Sequence, residues 1–444
     1  MAEKQDRPTG IKTFSVIWVG QVVSLLGTAM SNFALTLWAY EQTGKATPLA
    51  MIGFYFILPQ VALSPFIGVL VDRGNRRLMM MLSDLAAALT TVFILILLST
   101  GSLQIWHLYL TATVYGIFQG FQWPAYSVTI SLMLPKEHYA RASAMLDMAA
   151  NASGIAAPLL AGALLGPLGL VGILVIDLVS AAIAITTLLV AHIPQPVRSE
   201  AGREGEGNIL KEMTYGFRYI FARPSLLGLE SIFMVGNFFG SLGYAVFPAM
   251  ILGRSGNSKA VFAGVQSIGA VGGVAGSLLI SIWGGPKRRV HGILWGFILG
   301  GLLGQMILGV GQSPFVWGIG IFLASSVISL TDSSNQAIWQ AKVEPDVQGR
   351  VFAARMFIAW MVMPLAQAIA GPLADQVLEP AMAQGGSLVS TFSWLVGSGT
   401  GAGMGLQFFF TGILAALAGM AGYFFPFIRN AEDILPDHDA VGGD

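Results

Sequence analysis

The sequence predicts an all-α membrane protein, with twelve transmembrane helices arranged as two pseudo-symmetric six-helix bundles. Three observations predict it. The chain is 55% hydrophobic and only 10% charged, against roughly 25% charged in ordinary soluble domains. Twelve apolar stretches reach the roughly 20 residues that a helix needs to cross a bilayer core. A charged, turn-forming hinge at 68–77 recurs in altered form at 284–289, an offset of 212 residues when Arg76 is set on Arg288.

The twelve stretches are 13–40, 47–71, 78–99, 105–133, 140–166, 169–191, 225–252, 259–283, 290–311, 315–341, 350–378 and 406–429. The first follows Lys4, Arg7 and Lys12, as a signal peptide would. From Phe14 to Tyr40 it is too long for a signal h-region and has no small-residue cleavage site, so it reads as a retained span. The expected layout is a terminus at 1–12, a first bundle at 13–191, a linker at 192–224, a second bundle at 225–429 and a tail at 430–444. The linker holds nine Arg, Lys, Asp and Glu residues. Its second part sets Ile209, Met213, Phe217 and Ile220 on one helical face, which predicts a helix lying along the membrane surface.

Orientation follows from the basic residues. With both termini in the cytoplasm, 19 Lys and Arg fall on that side and only Lys45, Arg254 and Lys259 on the other. Cytoplasmic loops carry such an excess. The halves also repeat: Pro135 pairs with Pro345 at an offset of 210, and at 209 Arg141, Gly162 and Leu164 pair with Arg350, Gly371 and Leu373. A two-fold repeat of six-helix halves is the layout of secondary transporters, with the substrate near the midplane.

Other chemistries are excluded or unsupported. There is no cysteine, so disulfides, thiol catalysis and thiolate metal sites are out. The five histidines are scattered without metal spacing, and no nucleophile–base arrangement marks an enzyme. The basic residues form short loops rather than a nucleic-acid face. Gly397 to Gly405 alternates glycine but lacks the Lys-Ser/Thr of a nucleotide site, so it reads as a flexible outer loop. No cofactor or metal is implied.

Acids inside spans are costly and usually functional. Asp177, Asp147, Asp332, Asp84 and Glu230 are so placed, and Arg355 is the one basic residue well inside a span. A carboxyl group in low dielectric can take and release a proton near neutral pH, so each is a candidate proton carrier. Each could equally be paired for good with a basic or backbone group. Aromatic residues make up 11% of the chain, and many fall within spans. Candidate pocket residues are Trp38, Tyr55, Phe56, Tyr115, Phe118, Gln119, Gln122 and Trp123 in the first half. In the second they are Phe233, Asn237, Phe238, Asn335, Gln336 and Trp339. Aromatics mixed with Gln and Asn suit a bulky amphipathic ligand. Gly154, Pro158 and Gly162 form a four-residue stripe, echoed by Gly371 and Pro372. Such a stripe permits close helix contact and a bend.

The hinge Gly68-x-Leu70-x-Asp72-Arg73-x-x-Arg76-Arg77 resembles the loop motif between the second and third helices of the major facilitator superfamily. Asn75 stands where that family usually has Gly, and Asn also tolerates a left-handed backbone. The chain is further similar to the bacterial drug and siderophore efflux branch, which includes macrolide-efflux-type and enterobactin-exporter-type proteins. Ile176-Asp177-Leu-Val-Ser180, the run from Lys211 through Arg218 to Ile220, residues 237–248 and Gly349-Arg350-Val351 carry that similarity, which runs from about 14 to 428. It implies a monomer in the bacterial inner (plasma) membrane, with both termini cytoplasmic and the lipid bilayer, protons and a small-molecule substrate as partners. The implied activity is export of hydrophobic or amphipathic, drug-like molecules by proton antiport with alternating access. Siderophore or natural-product export, lysophospholipid flipping, or a non-transporting receptor or assembly role are the alternatives. The family also implies that Asp72 docks against the start of the eleventh helix, near Arg350, and latches the outward-facing state. The fifth-span stripe resembles a degraded antiporter motif of efflux members, with Ala157 where a Gly often precedes the Pro.

Overall fold

The computed structural model describes residues 10–73, 75–133, 139–190, 209–343 and 347–436, and every regular element among them is a helix. The first four, α1 (Gly10–Thr43), α2 (Ala46–Arg73), α3 (Arg76–Ser99) and α4 (Ile105–Met133), fall on the first four predicted spans. α5 (Tyr139–Val190) carries the fifth and sixth without a loop. Gly169 breaks it, with φ 65° and ψ −179°. That conformation is open to glycine and strained for other residues.

Ten helices among the described residues are long and apolar enough to cross a membrane. One of them, 148–190, holds two predicted spans on either side of Gly169. The 29-residue α4 completes the set of twelve.

Contacts divide the chain into two units: residues 1–35 with 55–209, and residues 36–54 with 210–444. In the first unit, Phe14, Ile17, Met80, Tyr126 and Leu188 form a fully or nearly buried cluster joining α1, α3, α4 and the end of α5. The Trp18 indole donates to the Met145 carbonyl at 2.8 Å. This ties α1 to the start of α5 where a buried N–H needs a partner.

The second unit is more interrupted. α6 (Ile209–Phe221) leads to α7 (Pro224–Tyr244) and α8 (Phe247–Arg254), so the predicted span 225–252 is two helices. α9 (Lys259–Trp283) begins at a Ser258 cap whose hydroxyl accepts from Val261 N. α10 (Arg289–Leu299) passes through a π turn at 300–305 into α11 (Met306–Val310). α12 (Pro314–Lys342) starts with a Ser313 cap and Pro in its first turn, where its missing N–H costs nothing. The eleventh span is α13 (Gln348–Trp360), α14 (Met363–Pro372), a second π turn at 373–378 and α15 (Glu379–Met382). α16 (Val389–Val396) and α17 (Ala402–Phe424) follow. α9 and α12 touch backbone to backbone: a Cβ on Gly272 or Gly276 would overlap the carbonyl oxygens of Phe322 and Ser326. The Ser326 hydroxyl donates to Gly272 O at 2.8 Å across this contact. Small residues at a crossing allow such approach where lipid gives no hydrophobic drive between helices.

Two expectations are refined. In the linker helix α6 the described part of the apolar face meets protein, and the side chains of Ile209 and Met213 lie outside the described residues. Tyr219 and Ile220 are buried with Trp339, Val343, Val351 and Ala354, and Phe217 meets Phe357 edge-on at 5.7 Å. Amphipathicity alone does not say which apolar partner a helix finds. Only 397–401 of the glycine run 397–405 is a turn, and the last span starts at Ala402 rather than 406. Glu379 accepts from Gly401 N at 3.0 Å and Met404 N at 2.8 Å, satisfying donors that a helix start leaves free. Arg254 donates to Gly401 O at 3.0 Å, Gly309 O at 2.9 Å and Val396 O at 2.9 Å, and also to Gly311 O. Gly401 has φ 85°, and a Cβ on Gly405 would overlap the Arg254 guanidinium.

Candidate functional site

A cavity of about 640 Å³ lies within the second unit, walled by α7, α10 with its π turn, α12, α13 and α14. α7 presents Glu230, Phe233, Gly236, Asn237, Gly240, Ser241 and Tyr244 to it, a spacing of three and four that marks one helical face. α12 adds Asp332, Asn335 and Gln336 by the same rule, and α13 adds Arg355. Phe297 and Trp360 complete an aromatic lining, with Phe233 and Phe297 edge-on at 5.2 Å.

Three charges meet here: Glu230, Asp332 and Arg355. The Arg355 Nη2 donates to Gln336 Oε1 at 2.8 Å, while its Nη1 has no hydrogen-bond partner. Its guanidinium stands over Phe352 at 5.1 Å and Trp339 at 5.5 Å from the ring centroids, so aromatic faces steady it. Glu230 is 0% exposed, and neither of its oxygens has a hydrogen-bond partner. Asp332 is open to the space. Two carboxyl groups and one guanidinium thus line the same cavity without a hydrogen bond between Arg355 and Glu230, and among the described residues no Lys or His lines it.

Of the residues singled out in the second half, the cavity brings together Glu230, Asp332, Arg355, Phe233, Asn237, Asn335 and Gln336. Asn237 uses its amide N–H on the Ala359 carbonyl at 3.1 Å. Trp339 is 0% exposed and packed in the core beside α6, its indole donating to Asn335 Oδ1 at 2.9 Å. Phe238 is not in the lining and meets Phe239 edge-on. Sequence reading missed Tyr244, Phe297, Gln305, Trp360 and Gln367. Tyr244 was within reach, because the α7 face extends to it by helical spacing. Gln305 was not, since it ends a π turn that no residue pattern announced.

The first unit holds its own polar groups. Gln21 donates to Asp84 Oδ2 at 2.7 Å, and Gln122 donates to Gln21 Oε1 at 2.7 Å and to Asp84 Oδ1 at 3.4 Å. Asp177 accepts from Thr28 Oγ1 at 2.9 Å and from Thr91 Oγ1 at 2.7 Å, and so joins three helices. Phe56 stacks on Tyr115 at 5.3 Å and Tyr55 on Tyr109 at 5.2 Å. The Phe118 carbonyl accepts from Ser83 at 2.8 Å, and Gln119 is half-buried on α4. Trp38 is half-buried and counted with the second unit.

The side chains of Asp72, Arg73, Arg76, Asp147 and Trp123, and the surroundings of Gly68, lie outside the described residues. Nearby, Asn75 caps α3 by accepting from Leu78 N at 3.1 Å, and Arg77 donates to the Leu189 carbonyl. Arg350 is exposed, 5.8 Å from the Tyr215 ring centroid. In α5, Pro158 is buried and Gly154 and Gly162 are half-buried. A Cβ on Gly371 would overlap Thr47 Cα, and Pro372 opens the second π turn.

The family model described as Major Facilitator Superfamily matches residues 17–368. Macrolide efflux protein A of Streptococcus pyogenes is 26% identical over 366 residues, covering 82% of this chain and 90% of that protein. Macrolide efflux protein A of Enterococcus faecalis is 26% identical over 330 residues, covering 72% and 99%. The crystal structure of a bacterial homolog to the human lysosomal transporter Spinster superposes with a TM-score of 0.68 at 16% identity, over 93% of this chain and 96% of that one. Twelve spans, a cavity within the second unit and a match over most of the length agree: this chain belongs to the major facilitator superfamily, a family of membrane transporters and not of enzymes.

Proposed function

We propose that the protein exports hydrophobic or amphipathic small molecules in exchange for protons, as a monomer with both termini in the cytoplasm. The observation that carries this reading is the cavity of about 640 Å³ with an aromatic and amide lining and three ionisable groups. Pockets of a few hundred Å³ with few, placed polar groups suit drug-sized ligands. The relatives called macrolide efflux protein A support the outward direction, and the basic excess on one side supports the orientation.

Glu230 and Asp332 are the groups through which proton exchange would run. Two carboxyl groups face one Arg355, so the acid in excess needs a proton or a bound cation to be tolerated in the membrane. Asp177 and Asp84 are placed differently, because hydroxyl and amide donors already serve them. Asp72 keeps its proposed role as a latch toward the start of α13.

The experiment is efflux of dyes and macrolides from cells expressing the chain, with and without a proton uncoupler. Uncoupler-sensitive export that is lost in Glu230→Gln or Asp332→Asn supports the reading. Export indifferent to the uncoupler removes proton exchange, and no export of any compound removes the drug-like substrate class.

A further inference from the structure

The outer hairpin, residues 36–54, is grouped with the second unit, although the helices it joins continue into the first. Both boundaries therefore cut continuous helices, α1 at 35/36 and α2 at 54/55. What fastens this hairpin is compact. Asp375 Oδ1 accepts from Ala46 N at 2.9 Å, and its Oδ2 accepts from Thr47 N at 2.6 Å and Thr47 Oγ1 at 2.5 Å. Ala46 and Thr47 open α2, so these are N–H groups without partners inside the helix, at its positive end. Bonds from such donors to a carboxylate are charge-assisted and among the stronger ones.

The geometry around the clasp is built for close approach. Gly371, one turn before Asp375, leaves no room for a Cβ against Thr47 Cα. The π turn at 373–378 begins after Pro372 and carries Asp375. A second tie, Glu41 to Lys259 at 2.7 Å, is about 40% exposed on both sides and contributes little by comparison.

We propose that Asp375 is a positioning residue for transport: its carboxylate clasps the start of α2 and holds the outer hairpin on the second unit in this state. Alternating access then requires the clasp to open. Nothing covalent opposes that, since three hydrogen bonds to a single carboxylate can be released together. The inference rests on the transport reading for its purpose, but its test reads the conformation and not the substrate.

The chain has no cysteine, so a single introduced thiol reports cleanly. Ala50 in the hairpin is 1% exposed and Ala416 in α17 is 0% exposed. Labelling of Ala50→Cys by a membrane-impermeant maleimide on intact cells should quicken roughly tenfold when Asp375→Asn is added, because the amide offers a donor to donors. Thr47→Val, which removes only the hydroxyl, should quicken it about threefold, and it serves if Asp375→Asn fails to insert. Glu41→Gln should change it less than about twofold. Ala416→Cys should stay unlabelled throughout, which separates an opened hairpin from a loosened fold. Unchanged Ala50→Cys labelling in both clasp variants, or equal gains at Ala416→Cys, would overturn the proposal. No export by the parent protein, with the labelling gains intact in the clasp variants, would instead count against the transport reading alone.

Discussion

The Thr91 hydroxyl donates to the Asp177 carboxylate at 2.7 Å, and this bond separates two kinds of intramembrane acid. With Thr28 on the other oxygen at 2.9 Å, Asp177 joins α1, α3 and the second half of α5 through neutral donors. Gly27 lets α1 close on this point, since a Cβ there would overlap the Ser180 hydroxyl. A carboxyl so served is a tie between helices. Glu230 has no hydrogen-bond partner at either oxygen.

Asp177→Asn should therefore retain uncoupler-sensitive export, since the amide oxygen still accepts one hydroxyl. Asp177→Leu should destabilise the protein by about 1–3 kcal/mol, because the buried Thr91 hydroxyl and the half-buried Thr28 hydroxyl lose their acceptor. Thermal unfolding in detergent measures the loss. Export by Asp177→Asn that no longer responds to uncoupler would make Asp177 a proton carrier after all.

The charges in the cavity should behave as a coupled set. Removing Arg355 alone, as Arg355→Gln, leaves the two acids without the one Lys or Arg of the lining and should destabilise the protein by less than the roughly 3–5 kcal/mol of breaking a close buried pair, because Arg355 bonds Gln336 and Glu230 has no bonded partner. Glu230→Gln should be far milder for folding while abolishing proton-driven export. Combining the two should restore at least about 1 kcal/mol relative to Arg355→Gln, a coupling that a double-mutant cycle of unfolding reads directly. Additive losses would show that Glu230 and Arg355 do not sense each other.

Much of this architecture was legible from the residues. Spans follow from apolar length, and the break between the fifth and sixth sits at Gly169, the first residue of the predicted sixth span. The α7 face was half seen, in Glu230, Phe233 and Asn237, because helical spacing is written in sequence. The π turns were not legible. They depend on how Gly300, Gly301 and Pro372 settle against neighbouring helices, and they place Gln305 and Asp375. Asp375 and Glu379 were passed over because they fall at the outer end of a span, where an acid looks merely solvated. Apart from the Thr47 hydroxyl, their partners are backbone N–H groups, which every residue but proline has and no motif marks. The linker helix shows the same limit: its apolar face was plain, but not that Val351 and Trp339 would cover it.

Glycines in α9 divide into two classes that substitution should distinguish. Gly276→Val places a side chain against the Ser326 backbone, which cannot rotate away, and should cost at least about 1–3 kcal/mol by overpacking. Gly264 has nothing within 4 Å of a built Cβ. Gly264→Ala should be neutral or stabilise by about 0.4–1 kcal/mol through the unfolded chain. Melting temperatures of the two variants in one detergent should move in different directions, and a shared fall would mean that α9 tolerates no substitution for other reasons.

Arg254 should not be replaceable by lysine. Its guanidinium reaches the carbonyls of Gly309, Gly311, Val396 and Gly401, from three separate stretches of chain. Only a planar fork with five donors spans them, and an ammonium on a flexible stem does not. Arg254→Lys should therefore destabilise the second unit by about 2–4 kcal/mol, as at least two buried carbonyls lose their donor. The loss should appear as faster proteolysis between Val396 and Ala402, where Arg254 and Glu379 supply the side-chain bonds that tie the glycine run to the rest of the unit. Equal protease resistance in Arg254→Lys and the parent protein would show that the packing of Gly403 against the Leu378–Glu379 backbone holds the turn without the arginine.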